Sequence, residues 1–107
     1  MKTSPRSLKL AVVVHEQLPT IIQKHLSPNQ IGFLTITGVE ISGDLSVANI
    51  FFTTIGSAEN AQKNLEKISR KIVYDLLKIV KLRREIKLVW KKDNTGKIID
   101  KMSREKL

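Results

Sequence analysis

Apolar residues recur at spacings of three and four along the first part of the chain: Leu10, Ala11, Val14, Leu18, Ile21 and Ile22, closed by His25. That period is one face of an amphipathic helix and predicts an element from about Arg6 to Leu26. Pro19 falls inside it. A proline there removes a backbone donor and crowds the preceding turn, so a kink or break is expected near Leu18. The Ser27-Pro28-Asn29 cluster then ends the element.

From Ile31 to Ile55 the period changes to two and β-branched and aromatic residues dominate, which is a strand signal. Two strands are predicted, about Gly32–Ile41 and Val47–Ile55. Ser42-Gly43-Asp44 between them supplies turn geometry, so the strands should pair antiparallel. Across Gly38 the apolar positions slip in phase, from Leu34 and Ile36 to Val39 and Ile41, which predicts a bulge at the glycine.

Gly56 stops the second strand, Ser57 is placed to cap a helix, and Glu59 in its first turn complements the helix dipole. Ala61, Leu65, Ile68, Ile72, Leu76 and Ile79 then keep a rhythm of three and four without losing phase. This predicts one long core-facing helix running to about Leu82. Ile86, Leu88 and Trp90 alternate with Lys87, Val89 and Lys91, so a third strand follows, with Trp90 in the core and a turn at Asp93-Asn94-Thr95-Gly96. The order α-β-β-α-β is that of an α+β fold, with helices packed on one face of a three-stranded sheet.

At 107 residues the prior is a single domain, and 41% hydrophobic with 27% charged residues is a globular rather than a disordered balance. A mobile basic tail is expected from about residue 98. The absence of cysteine excludes a disulfide framework, a thiolate zinc site and a thiol nucleophile. No apolar run approaches the roughly 20 residues that cross a bilayer. No N-terminal segment resembles a secretory signal, so a cytoplasmic protein that is monomeric when free is expected.

Catalytic chemistry finds no support. His15 and His25 lack any metal-ligand spacing and read as surface or core-edge histidines, and Asp44 and Asp93 sit in turn contexts that explain them by side-chain to backbone hydrogen bonds. Thr95-Gly96-Lys97 lacks the first glycine and the following Ser/Thr of a phosphate loop. No enzyme, metal or cofactor is expected.

Charge placement is more informative. The formal charge is +9; residues 1–62 hold four basic groups (Lys2, Arg6, Lys9, Lys24) against four acidic ones (Glu16, Glu40, Asp44, Glu59), and the remaining 15 basic and 6 acidic groups carry the whole excess. Such a footprint suits a polyanion, with nucleic acid first. On the second predicted helix Lys63, Lys67, Arg70, Lys71, Tyr74, Lys78 and Lys81 share a sector opposite the apolar stripe, while Glu66 and Asp75 lie off it. Within that sector the Tyr74 ring can stack on an unpaired base while the cations meet phosphates. Arg83, Arg84, Lys87, Lys91 and Lys92 extend the basic run, and Lys97, Lys101, Arg104 and Lys106 continue it in the tail. A DNA-binding or architectural protein would use the same face.

One segment adds a family to this reading. Thr37-Gly38-Val39-Glu40-Ile41-Ser42-Gly43-Asp44-Leu45, followed by Ala48, Ile50, Phe52 and Gly56, resembles the Val-x-Val-Ser-x-Asp-Leu-x-x-Ala segment of the ribosome-binding factor A family. Leu65 with Ile72, Leu82-Arg83, Leu88, Trp90 and Asp93 continue the match over nearly the whole chain. The resemblance implies a type II KH-like domain that binds free small ribosomal subunits and their rRNA. It also implies a part in late subunit maturation, in processing the 5′ end of 16S rRNA and in growth in the cold. Where the family has an Ala-x-Gly kink, this chain reads Ile68-Ser69-Arg70, and the family's proline before the third strand is Ile86. Without that glycine the helix is expected to be continuous or weakly bent, Ser69 bonding back to the carbonyl four residues earlier.

Overall fold

Ser4 begins the first helix by exchanging hydrogen bonds with Ser7: the Ser7 amide donates to Ser4 Oγ (3.1 Å) and the Ser4 amide to Ser7 Oγ (2.6 Å). Serine here takes the place of the usual glutamate of a capping box, and Pro5 occupies the first turn, where no amide is needed. The computed structural model describes residues 4–55, 58–82 and 85–93, with residues 58 and 59 described as backbone only. Helix α1 spans Pro5–His25 and buries Leu10, Val14, Leu18, Ile21 and Ile22, the face read from the sequence. It passes Pro19 without a break, because the proline lies on the exposed side while Leu18 beside it is fully buried.

After the extended Leu26, the Ser27-Pro28-Asn29 cluster does more than end a helix: it opens the short helix α2, Pro28–Ile31. The Ser27 amide donates to the Gln30 side chain at 2.8 Å. Gly32 then leaves α2 at φ 65°. Strands β1 (Phe33–Ile41) and β2 (Val47–Ile55) pair antiparallel, and the register slips between Ile36 and Gly38, so that Thr37 is the extra residue of the expected bulge. Asp44 ties the hairpin turn, accepting at one oxygen from the Ser46 amide (3.1 Å), Ser42 Oγ (2.7 Å) and Ser46 Oγ (2.6 Å). Asp93 also bonds outside its own turn: its carboxylate accepts from Thr37 Oγ1 on the bulge (2.7 Å), and its amide donates to the Phe52 carbonyl.

The predicted long helix is two. Helix α3 (Ala58–Lys67) and helix α4 (Ser69–Ile79) meet at Ile68, whose ψ of 6° departs from the roughly −42° of a regular helix. The packing supplies the reason. Ser69 Oγ donates to the Leu65 carbonyl (3.0 Å), as expected, but it also accepts from the Trp90 indole nitrogen (2.8 Å), which draws the first turn of α4 toward the sheet. The helix ends at Ile79 rather than Leu82, and Ile79 is 49% exposed, so the apolar stripe runs from Ala61 to Leu76 only.

Strand β3 (Lys87–Lys92) lies parallel to β2 at the sheet edge, giving the order β1-β2-β3. Helices cover one face of this sheet. Beneath them Phe52, Leu18, Ile22, Ile41, Ile50, Leu65, Ile72 and Leu76 are fully buried, and the Phe52 and Trp90 rings meet edge to face at 6.4 Å. Trp90 is core, as expected. The coarse order α-β-β-α-β therefore holds, with the short α2 added after α1 and the second predicted helix divided at Ile68. Ser57, the Asp93–Gly96 turn beyond its first residue and the basic tail lie outside the described residues.

Candidate nucleic-acid interface

Between α4 and β3 runs a groove of about 500 Å³ lined by Ser69, Arg70, Val73, Tyr74, Leu77, Glu85, Ile86, Lys87 and Leu88. Ser69 is held against Trp90, so α4 starts close to the sheet and presents Val73 and Leu77 toward Ile86 and Leu88. The floor is apolar; Arg70, Tyr74 and Lys87 stand around it. Tyr74 is 63% exposed, and the Lys78 ammonium lies 4.4 Å from its ring centroid.

A second recess of about 400 Å³, lined by His25, Arg70, Lys71, Tyr74 and Asp75, touches the same Tyr74 and Arg70. Here the last turn of α1 meets α4: His25 Nε2 bonds Asp75 Oδ2 at 2.9 Å. That hydrogen bond holds the Asp75 carboxyl below its ordinary value of 3.8, with the charges of His25, Lys24 and Lys78 acting the same way against partial burial.

Not all sequence-predicted residues come together. Arg70, Tyr74 and Lys87 border the groove, Lys71 joins them at the second recess, and Lys78 reaches Tyr74. Lys63 and Lys67 are exposed but belong to α3, across the break. Lys81 is exposed beyond the end of α4. Lys91 sits elsewhere: it is the register partner of Phe51, whose ring centroid lies 5.9 Å from its ammonium, and both face away from the Phe52–Trp90 core contact. Lys92 is exposed at the end of β3, and Arg83 and Arg84 lie outside the described residues. Sequence reasoning missed Lys24, His25 and Asp75, which α1 packing brings to this surface, and Ser69 and Glu85 in the groove.

Among the described residues no three metal-ligating side chains converge, and no described helix is long and apolar enough to cross a membrane.

The family model described as ribosome-binding factor A matches residues 6–105. The chain belongs to the ribosome-binding factor A family. A ribosome-binding factor A from Trichlorobacter lovleyi is 38% identical over 106 residues, covering 94% of this chain and 86% of the relative. One from Pelobacter propionicus is 35% identical over 108 residues, covering 95% and 88%. The crystal structure of ribosome-binding factor A from Thermus thermophilus superposes with a TM-score of 0.73 at 26% identity, over 80% of this chain and 94% of that one. A homology model of the Thermus thermophilus ribosome-binding factor A, fitted into the cryo-EM map of a 30S complex, superposes at 0.66 with 21% identity, over 88% and 98%. The α+β fold of the family is therefore this chain's fold.

Proposed function

We propose that this chain is a cytoplasmic assembly factor that binds free small ribosomal subunits, assists late maturation and 5′-end processing of 16S rRNA, and supports growth in the cold. The observation that carries the proposal is the α4–β3 groove, whose apolar floor lies among Arg70, Tyr74 and Lys87 on a chain of net charge +9. Unpaired bases expose apolar faces that such a floor and an exposed tyrosine ring accept, while the flanking cations neutralise phosphates. Duplex DNA offers phosphates but no splayed bases, so the groove favours RNA over the DNA-binding reading. The Thermus thermophilus relative fitted into a 30S map supports the choice of partner. Contacts of this kind hold an immature rRNA conformation by shape and backbone rather than by reading sequence.

In this reading the domain acts as a monomer, with Lys63, Lys67, Lys71, Lys78, Lys81, Arg83, Arg84, Lys91 and Lys92 supplying the wider phosphate-binding surface and no metal or cofactor. Sedimentation of a tagged chain in cell extract provides the test. It is expected to travel with free small subunits and to be missing from translating ribosomes. A profile spread evenly over all ribosomal fractions, or tighter binding to duplex DNA than to small-subunit rRNA, would overturn the assignment.

A further inference from the structure

The recess at the end of α1 has a chemistry unlike the rest of the basic surface. Arg70 and Lys71 line it together with one acidic group, Asp75, on which the charges of Lys24 and Lys78 act as well. Its Oδ2 is engaged by His25 Nε2 at 2.9 Å, and its side chain, which lines the recess, keeps 19% solvent exposure. Phosphates seek the cations and avoid a carboxylate, so a strand crossing this surface brings Asp75 a neutral donor, either from a base edge, common to RNA and DNA, or from a sugar. The backbone of RNA carries one such donor at every sugar, the ribose 2′-hydroxyl, and DNA lacks it.

We infer that Asp75, held in place by His25, accepts a hydrogen bond from a ribose 2′-hydroxyl and so lets this surface distinguish RNA from DNA. The inference rests on the RNA-binding reading above and deepens it. The geometry supports the choice of acceptor. Tyr74 and Arg70 line both the α4–β3 groove and this recess, so a strand whose bases enter the groove passes over Tyr74 with its next sugar beside Asp75. The His25 ring bonds one carboxylate oxygen and fixes the plane of the other, as a supporting group does for a buried ligand. The lowered pKa of Asp75 keeps it an ionised acceptor throughout the neutral range.

The test compares a single strand of A and C, about a dozen nucleotides long, in ribose and deoxyribose form, by equilibrium titration against the full chain. Wild type is expected to bind the RNA about tenfold more tightly than the DNA, the scale of one hydrogen bond to a charged acceptor. In Asp75→Asn the preference should shrink to near unity, with DNA affinity unchanged or raised because a negative charge has gone. Paired replacement of His25→Leu with Asp75→Leu, which keeps an apolar contact between α1 and α4, should lose the preference as well. A wild type that binds both strands equally, or variants that keep the tenfold preference, would overturn the role of Asp75 while leaving RNA binding intact. Failure of the wild type to bind either strand would sink this inference, whereas the wider reading falls only if small-subunit cosedimentation fails too.

Discussion

A β-carbon added at Gly32 would lie 2.3 Å from the Ile55 carbonyl oxygen, and the residue sits at φ 65°, ψ −153°, a conformation other residues scarcely visit. The clash is with backbone, which cannot swing aside. Gly32→Ala is therefore expected to cost about 2 kcal/mol or more, read from the shift in a urea unfolding midpoint; a loss no larger than that of an ordinary surface change would mean α2 can move away from β2. Asp75 gives a pH-dependent counterpart. Its carboxyl ionises below the ordinary 3.8 in the folded chain, so its pairing with His25 contributes in full above that value. The contribution fades as pH drops through the lowered folded-state value and the carboxyl takes up a proton. The stability difference between wild type and Asp75→Asn should shrink as the pH falls from about 5 toward about 2. A difference that grew on acidification would contradict the sign.

Elements show where local pattern suffices and where it does not. The β1–β2 hairpin was legible in detail, register slip included, because a phase change at Gly38 and turn residues at 42–44 are local signals. The break at Ile68 was not. It is made by Trp90, 21 residues away in sequence, bonding a serine whose own tendency is only to bend a helix mildly. The interruption occurs without the family's glycine and is confined to Ile68, whose amide still donates to the Asn64 carbonyl (3.3 Å) and whose carbonyl still accepts from the Ile72 amide (2.9 Å). For the candidate site the consequence is uneven: the described cations are exposed, as expected, but one uninterrupted helical face was not there to be found. Lys24 and His25 join the surface through a contact spanning 50 residues, beyond any helical periodicity. The charge-reversal experiment follows from this division. Lys67→Glu with Lys78→Glu should weaken rRNA binding while costing about 1 kcal/mol of stability or less, since both are exposed and only Lys78 has a ring contact to lose. Lys9→Glu on the remote part of α1 is the matched comparison. Equal loss of binding from Lys9→Glu would place the interface elsewhere.

For the molecule as a whole, a charge of +9 gathered in the second half makes association an ion-exchange process. Affinity for rRNA should fall roughly tenfold or more between 50 and 200 mM salt, followed by filter binding or anisotropy. A flat response would remove phosphate neutralisation from the account. The parallel pairing of β2 with β3 has a kinetic corollary. The 31 residues between Ile55 and Lys87 must be laid across the sheet before β3 can add, a non-local closure that is slow compared with forming the β1–β2 hairpin. One wall of the groove is β3 itself, so the recognition surface comes into being only at that late step. The chain's single tryptophan rides on the same strand. In stopped-flow refolding, the burst of native Trp90 emission should therefore coincide with recovery of RNA binding and trail the appearance of hairpin structure: the molecule carries its own clock for the moment it becomes competent.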